Sequence, residues 1–245
     1  MVENKKKVQL LHDVKDVEYA TVLKARESWS MFSIMSEFVE TTEKLSEIQA
    51  AITIFGSARL RPGSHYYDQC IKLSRKLSDA GFAIFSGGGP GIMEAANKGA
   101  FEGKSPSAGL NIELPHEQSS NPWQNVSLNY RHFFARKVGL VKYANAFVVF
   151  PGGYGTLDEM SEVLTLIQTG KIRPIPLILY GSKFWKGFLD WSKEALLADG
   201  MISEKDIDLM VIADDIDFIV NYIVSFYQER AIVPTSEERL KLMYL

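Results

Sequence analysis

From residue 51 onward, short apolar runs alternate with segments whose apolar residues recur at helical spacing. Most of the runs are apolar throughout, which is typical of parallel strands covered on both faces of a sheet. The runs are 51–55, 82–85, 108–112, 146–150, 176–180 and 209–212, with a weaker one at 126–128. The helical segments are 65–80, 91–102, 132–144, 157–169, 184–198 and 215–229. This alternation predicts an α/β fold with a doubly wound, Rossmann-like parallel sheet of six or seven strands flanked by helices.

The N-terminal part of the chain has a different pattern. Residues 1–48 contain neither glycine nor proline, and their apolar residues recur at helical spacing. We therefore expect an N-terminal helical extension that packs on the main domain or on a second subunit. Residues 49–232 then form the Rossmann-like domain, and residues 233–245 form a C-terminal tail.

Composition and charge exclude several classes of function. The 245-residue chain has 46% apolar and 23% charged residues, a net charge of -3 and an isoelectric point of about 5.9. These values are ordinary for a globular protein and give no general attraction to nucleic acid or to an anionic membrane. The single cysteine, Cys70, allows no intramolecular disulfide and is expected to be a small buried apolar residue.

We also expect neither a signal peptide nor a transmembrane helix. No apolar run approaches the roughly 20 residues that a transmembrane helix needs. The N-terminal sequence MVENKKK is not followed by the apolar core of a signal peptide. We expect a cytoplasmic protein with neither nucleic acid nor a membrane among its partners.

The sequence PGGYGTLDE at residues 151–159 joins an apolar run to a helical segment. Glycines in such a strand-to-helix turn let backbone N–H groups approach an anion, and the helix dipole favours negative charge there. Because Glu159 falls in the first predicted helical turn, the pattern predicts a phosphate pocket with a carboxylate beside it. The alternative is a capping box, in which Thr156 at the N-cap and Glu159 bond each other's backbone N–H groups. Both interpretations can hold together.

Two further glycine-rich turns follow predicted strands, GSAR at residues 56–59 and SGGGPG at residues 86–91. In doubly wound sheets, ligands bind beyond the carboxyl ends of the strands, where all three turns are expected to lie. The second turn is either a tight connection with Pro90 in the first helical turn or a set of N–H groups that line the same pocket. Glu94, one turn into the next helix, faces either the ligand or solvent.

Several familiar site motifs are absent from the sequence. The dinucleotide fingerprint G-x-G-x-x-G fails because its third glycine would fall on Ile92 or Asp158. A P-loop that ends in the GKS sequence at 103–105 fails because its first glycine would fall on Lys98. No G-x-S-x-G elbow is present, and no lysine lies in a context that suggests a Schiff base. The histidines, which lack the spacing of a zinc site, are His12, His65, His116 and His132. We therefore expect neither a metal nor a cofactor.

The segment at residues 129–137 carries several basic side chains. Arg131, His132 and Arg136 are spaced to share roughly one side of a helix. Such a group is either a solvated basic face or a source of bidentate hydrogen bonds to anionic oxygens.

These motifs together resemble the LOG ("Lonely Guy") family of cytokinin riboside 5′-monophosphate phosphoribohydrolases, which were long mislabelled as lysine decarboxylases. The resemblance rests on the PGGxGTxxE pattern at residues 151–159 and on Arg136-Lys137 before it. The sequences GGGPGIMEAAN at 87–97 and GLNIELP at 109–115 resemble the longer bacterial branch. The similarity extends from about residue 50 to about residue 230, so it leaves the N-terminal extension without an implied role.

The resemblance implies hydrolysis of the N-glycosidic bond of a nucleoside 5′-monophosphate, either AMP or a cytokinin riboside monophosphate, to the free base and ribose 5-phosphate. It assigns catalysis to Arg136 and Glu159. Glu159 either stabilises an oxocarbenium-like state or activates water, and Arg136 either holds the nucleotide or offsets charge on the departing base. The expected substrate-binding residues are Gly152, Gly153, Tyr154, Gly155, Thr156, Lys137, Thr165, Gly88, Gly89 and Glu94.

The resemblance also implies a homodimer or a higher homo-oligomer. Two other functions stay open at this level. One is a non-catalytic carrier or sensor of a nucleotide or of the molybdenum cofactor, since relatives with this fold serve as molybdenum-cofactor carriers. The other is the amino-acid decarboxylase of the older label. The presence of both Arg136 and Glu159 favours the hydrolase, and nothing in the sequence supports the decarboxylase.

Overall fold

A computed structural model describes residues 17–115 and 119–230 of the protein. Residues 1–16 of the predicted extension and the predicted tail, residues 233–245, lie outside the described residues. Within the described ranges, no helix is long and apolar enough to cross a bilayer.

Seven strands of the described chain form one sheet, and every neighbouring pair is parallel, which confirms the predicted fold class. The strands are β1 (Ala51–Phe55), β2 (Ala83–Ser86), β3 (Ser107–Ile112), β4 (Val126–Tyr130), β5 (Ala146–Val149), β6 (Leu177–Tyr180) and β7 (Met210–Ala213). The predicted runs match these strands closely, because burial on both faces makes a strand apolar along its whole length.

Helices connect the strands at nearly all of the predicted places. They are α1 (Val17–Leu45), α2 (His65–Asp79), α3 (Ile92–Phe101), α4 (Phe133–Lys142), α5 (Tyr154–Gln168), α6 (Ser182–Trp191), α7 (Glu204–Ile207) and α8 (Ile216–Arg230). A π-helical segment, Ser192–Leu197, continues α6. The short helix α7 was not predicted. It begins with a capping box formed by Ser203 and Asp206.

The hydrophobic core lies on both faces of the sheet. On one face, Ile52 and Ile54 of β1 pack among buried side chains of α2, α3 and α8. On the other face, Ala51 and Phe55 pack among buried side chains of α4, α5 and α6. Cys70 of α2 is fully buried in the first of these clusters, as expected for an apolar residue.

The strand order is β4-β3-β2-β1-β5-β6-β7, so the direction in which the sheet grows reverses between the neighbours β1 and β5. The connections that follow β1 and β5 therefore leave on opposite sides, and a crevice opens at their carboxyl ends. The two loops are tied together there, since the Ser57 N–H donates to the Pro151 carbonyl oxygen at 3.1 Å. The three glycine-rich turns follow β1, β2 and β5 and thus lie at this edge of the sheet.

The extension predicted at the N-terminus is helical from Val17 onward, and α1 spans two compact units that divide after Ser36. In the first unit, the exposed rings of Trp29 and Phe32 are in edge contact, with centroids 6.1 Å apart. The rest of α1 belongs to the unit that contains the sheet. There, Thr41 Oγ1 lies 2.6 Å from the hydroxyl of Tyr130 in β4.

Gly91, which precedes α3, offers a test of the loop architecture at the crevice. Its φ is +69°, and a Cβ at this position would lie 2.3 Å from the carbonyl oxygen of Ser57. We expect Gly91→Ala to lower the free energy of unfolding by about 1–3 kcal/mol or more, because the backbone strain and the clash add together. Urea denaturation measures this change.

Gly187→Ala is the matched control. Gly187 lies within α6, and a Cβ there would have no other atom within 4 Å. Alanine in a helix interior is expected to raise the free energy of unfolding by about 0.5–1 kcal/mol. Similar effects of the two substitutions would contradict the backbone assigned to Gly91.

Candidate active site

A cavity of about 610 Å³ lies at the carboxyl edge of the sheet, in the crevice between β1 and β5. The turns after β1 and β2, the end of β3 and the first turns of α4 and α5 line it. The predicted site residues in its lining are Gly88, Gly89, Arg136, Gly153, Tyr154, Gly155, Thr156 and Glu159. A cavity of this volume is typical of a small-molecule site.

Helix α5 directs its N-terminus at the cavity. Its N-cap is Gly153, and its first turn contains no acidic side chain. The N–H groups of Tyr154, Gly155 and Thr156 have no acceptor within the helix and, together with the helix dipole, favour an anion. A Cβ on Gly153 or Gly155 would meet no atom within 4 Å, so the surface there is open to a ligand.

The predicted capping box of Thr156 and Glu159 is wrong. Helix α5 begins three residues earlier than predicted, directly after Gly153, and no side chain caps it. Thr156 is therefore buried inside the first turn, and Glu159 lies in the second turn. Because Glu159 is not engaged in capping, its carboxylate is available to a partner on another helix.

That partner is Arg136 of α4. Its Nη2 donates to Glu159 Oε1 at 3.1 Å, and the side chains are only 9% and 15% exposed. The Phe133 ring lies against the guanidinium, with 5.4 Å between Cζ and the ring centroid. Gly87 adjoins the pair on the β2 side, since a Cβ there would lie 3.2 Å from Arg136 Nη1. Residues far apart in sequence thus form one buried, charged unit in the wall of the cavity.

The environment of Glu159 shifts its titration toward neutrality. Burial raises the pKa of its carboxyl from the ordinary 4.5 to about 7, while the Arg136 guanidinium acts in the opposite direction. A carboxyl with this pKa exchanges a proton readily near neutral pH, which is the property required of a general acid or base. A strongly shifted pKa in a cavity wall is also typical of functional sites.

Other predicted site residues do not line the cavity. Lys137 Nζ pairs with Asp158 at 2.8 Å and with Glu162 at 2.9 Å. Burial lowers the pKa of Lys137, but these two hydrogen bonds outweigh that effect and the net pKa is raised. Thr165 is exposed, and its hydroxyl donates to the Ser161 carbonyl oxygen at 2.8 Å.

The remaining two predicted residues also lie away from the cavity lining. Glu94 lies beside Tyr67, where burial and the Glu94 carboxylate raise the pKa of the tyrosine hydroxyl to about 12. Gly152 adjoins the buried Thr156, since a Cβ on Gly152 would lie 2.1 Å from Thr156 Oγ1. It supports the turn rather than facing the cavity. The binding roles of these residues stay predictions.

The basic segment before Arg136 is arranged differently from the prediction. Arg131 and His132 do not share a helix face with Arg136, because α4 begins only at Phe133. Arg131 is exposed and pairs with Glu113 at 3.2 Å. Only Arg136 of the three basic residues lines the cavity.

Sequence reasoning missed Glu37 of α1, which holds the start of α4. Its Oε1 accepts the Arg131 N–H and lies 3.0 Å from His132 Nδ1, and the residue is 7% exposed. The contact orients the helix that carries Arg136. No local pattern predicts this contact, since its partners are more than ninety residues apart in the chain.

Sequence reasoning also missed several residues of the cavity wall. Arg59 lies in a glycine-rich turn that was recognised, but its side chain was not assigned to the site. Asn111 is the last but one residue of β3 and Phe133 begins α4, so both reach the cavity only through the tertiary fold. Phe133 is half exposed and offers an aromatic surface at the cavity.

Comparisons with known proteins agree with the motifs. A protein-family model described as "Possible lysine decarboxylase" matches residues 93–223, more than half of the chain. Cytokinin riboside 5′-monophosphate phosphoribohydrolase LOG from Oryza sativa subsp. japonica is 30% identical over 166 residues, which cover 66% of this chain and 67% of that protein. The chain belongs to the LOG family. Another relative, LOG3 from Arabidopsis thaliana, is 26% identical over 166 residues, which cover 66% of this chain and 76% of that protein.

Solved structures share the fold at lower sequence identity. The molybdenum cofactor binding protein from Rippkaea orientalis matches with a TM-score of 0.53 and 19% identity, over 72% of this chain and 96% of that chain. The Moco carrier protein from Chlamydomonas reinhardtii matches with a TM-score of 0.52 and 18% identity, over 74% of this chain and 99% of that chain. At such identities the likeness concerns the fold alone, and it agrees with the Rossmann-like architecture of this LOG-family chain.

The pKa of Glu159 can be tested directly. We expect the Glu159 carboxyl of the wild-type protein to titrate with a midpoint near pH 7, as measured by ¹³C NMR of labelled glutamate. Arg136→Ala should raise this midpoint further, because the guanidinium favours the ionised carboxylate. Arg75→Ala, which removes an exposed arginine from the surface, should leave it unchanged. A wild-type midpoint between 4 and 5 would contradict the raised pKa, because the effect of burial would then not exceed that of Arg136.

Proposed function

We propose that this LOG-family protein hydrolyses the N-glycosidic bond of a nucleoside 5′-monophosphate and releases the free base and ribose 5-phosphate. One observation carries the proposal: the buried Arg136–Glu159 pair and the open N-terminus of α5 line the same cavity. An anion site beside a carboxyl that titrates near neutrality suits a substrate with a phosphate at one end and a scissile bond close by. The named relatives, which are phosphoribohydrolases, support the same reaction.

The start of α5 is the proposed phosphate site. The N–H groups of Tyr154, Gly155 and Thr156 supply donors, and no acidic side chain in the first turn competes with the phosphate. Because Glu159 is one turn further along the same helix, the carboxyl is near the sugar of a nucleotide bound in this way. The exposed rings of Phe133 and Tyr154, both in the cavity lining, offer faces on which a base can stack.

Glu159 in its ionised form is the proposed catalytic group. The C1′–N bond breaks with its electron pair going to the base, and the carboxylate stabilises the oxocarbenium-like sugar that forms. A water molecule adds its oxygen to C1′, and Glu159 accepts the proton that this water loses. The proton then passes to the nitrogen of the departing base, which leaves as the neutral free base and returns Glu159 to its ionised form. Arg136 keeps a fraction of Glu159 ionised near neutral pH, against the effect of burial.

A non-catalytic carrier is the second candidate. The fold is shared with proteins described as a molybdenum cofactor binding protein and a Moco carrier protein, which supports a carrier as the alternative. The buried Arg136–Glu159 pair favours the hydrolase, because simple binding does not require a carboxyl with a pKa near 7. Chromatography separates the two candidates, since a carrier retains AMP unchanged and the hydrolase releases adenine.

Substitution of the charged pair tests the hydrolase. We expect Glu159→Gln and Arg136→Ala each to reduce release of adenine from AMP by at least about 10²-fold, because general acid–base and electrostatic contributions have that size. The matched controls are Glu102→Gln and Arg75→Ala, which remove an exposed pair with a 3.5 Å contact. The controls should retain wild-type rates. Rates within a few-fold of wild type for both site variants would refute the assignment.

A panel of substrates in the same assay determines which base the protein prefers. AMP, other purine monophosphates and a cytokinin riboside monophosphate are compared by release of the base, and lysine is included with detection of carbon dioxide. We propose a purine monophosphate as the substrate, with AMP or a cytokinin riboside monophosphate as the leading candidates. Release of carbon dioxide from lysine without release of any base would favour the older description of the family.

The pH dependence follows from the pKa of Glu159. Because the active carboxylate is the ionised form and its pKa is raised to about 7, kcat should rise about tenfold per pH unit below that value and level off above it. The turnover number is the suitable quantity, since a phosphate monoester itself titrates near pH 6 and affects binding. Arg136→Ala should move the rising limb to higher pH. A kcat that falls between pH 6 and pH 8 would instead indicate that Glu159 acts in its protonated form.

A further inference from the structure

Two amide side chains, those of Asn121 and Gln124, donate hydrogen bonds to the turn after β2. The carbonyl oxygen of Gly88 accepts three hydrogen bonds: from the Asn121 backbone N–H at 2.8 Å, from Asn121 Nδ2 at 2.9 Å and from Gln124 Nε2 at 3.0 Å. Asn121 Nδ2 also lies 3.1 Å from the carbonyl oxygen of Gly89. We refer to Asn121 and Gln124 with these contacts as the amide brace.

The amide brace is anchored in the buried interior. Asn121 is 8% exposed, and its Nδ2 donates to the Oδ1 of the fully buried Asn97 at 2.9 Å. The same Asn97 oxygen accepts the Ser86 hydroxyl at 2.7 Å, while Asn97 Nδ2 donates to Ser107 Oγ at 2.9 Å. The brace thus joins α3 to the ends of β2 and β3, which gives it little freedom to move.

The brace determines where the next N–H points. No cis peptide occurs among the described residues, so the N–H of Gly89 is directed opposite to the carbonyl oxygen of Gly88. Gly88 and Gly89 line the cavity, whereas Asn121 and Gln124 do not. The carbonyl therefore faces the brace, and the Gly89 N–H points away from it. Gly88 permits this turn with its φ of +73°.

Three donors on a single peptide oxygen also strengthen the opposite N–H. Hydrogen bonds to the carbonyl polarise the peptide and make its N–H a better donor to an anion. The glycine-rich turn after β2 and the start of α5 both lie in the cavity wall. Backbone N–H groups from these two segments suit a phosphate group, which has several oxygens that can each accept a hydrogen bond.

We propose that Asn121 and Gln124 are positioning residues that hold the Gly88–Gly89 peptide so that the Gly89 N–H donates to a phosphate oxygen of the substrate. The assignment of a phosphorylated substrate rests on the proposed function, but the binding step needs no catalysis. Loss of the brace is expected to weaken binding of the nucleotide more than it slows the chemical step, because neither Asn121 nor Gln124 lines the cavity.

The test uses the full-length protein and follows the Gly89 amide by ¹H–¹⁵N NMR during titration with AMP and with inorganic phosphate. In the wild-type protein, the amide proton should shift downfield with both ligands. Asn121→Ala removes the Nδ2 donor and Gln124→Met removes the Nε2 donor to the Gly88 carbonyl oxygen, while the backbone N–H of residue 121 stays in place. Each should reduce this shift and raise the KM for AMP about tenfold or more, with a smaller change in kcat.

Asn145→Ala is the matched control. Its Oδ1 accepts the Ala51 N–H at 3.0 Å at the opposite edge of the sheet, so it is also an asparagine that bonds to backbone. The control can lose a similar amount of stability in urea denaturation, but it should retain the Gly89 shift and the KM. Changes in stability alone, with KM and the Gly89 shift retained in both brace variants, would overturn the proposal.

The two proposals can fail separately. A wild-type Gly89 amide that responds to neither AMP nor phosphate overturns the role of the brace, even if adenine is released. A Gly89 amide that responds to AMP in the wild-type protein and responds less in the brace variants, in a protein that releases no adenine, supports the brace and refutes the hydrolase. If Asn121→Ala does not fold, the wild-type titration and Gln124→Met still decide between these outcomes.

Discussion

The reversal of strand order between β1 and β5 is the constraint on which the site depends. It opens a crevice at the carboxyl ends of two neighbouring strands, and every glycine-rich turn of the chain recognised in the sequence follows a strand at that edge. The donors at the start of α5, the Gly87–Gly89 turn and the Arg136–Glu159 pair come from separate segments. They share one cavity only because the sheet brings the ends of β1, β2 and β5 side by side.

Within that crevice, burial and ion pairing act on Glu159 in opposite directions. Burial favours the protonated carboxyl and Arg136 favours the ionised form, and the result is a pKa near neutrality. Removing either partner from such a pair leaves a buried polar group without compensation. The surrounding contacts maintain the balance: Glu37 holds the start of the helix that carries Arg136, and the N-cap Gly153 begins the helix that carries Glu159.

Local sequence patterns were sufficient to predict the fold but not to predict every part of the site. The strands were predicted because both of their faces are buried, which leaves an unambiguous apolar run. The start predicted for α5 was wrong because Thr156 and Glu159 match the sequence pattern of a capping box. The actual N-cap residue, Gly153, makes no side-chain capping bond that a sequence pattern could reveal. The prediction that Arg131 shares a helix face with Arg136 was also wrong, because α4 begins only after Arg131. Lys137 was assigned to the site through the resemblance to the LOG family; in the folded chain its side chain pairs with Asp158 and lies outside the cavity lining, so its binding role stays a prediction.

The sequence by itself determined the parallel sheet, the glycine-rich turns at its carboxyl edge and the LOG-family motif, and the resemblance to that family pointed to Arg136 and Glu159. These features depend on residue type and on near neighbours in the chain. Only the tertiary structure decided that the two side chains meet at 3.1 Å, that burial raises the pKa of Glu159, and that Asn121 donates a hydrogen bond to the Gly88 carbonyl oxygen. Such properties depend on distance and burial in space, which residues remote in sequence acquire only when the chain folds.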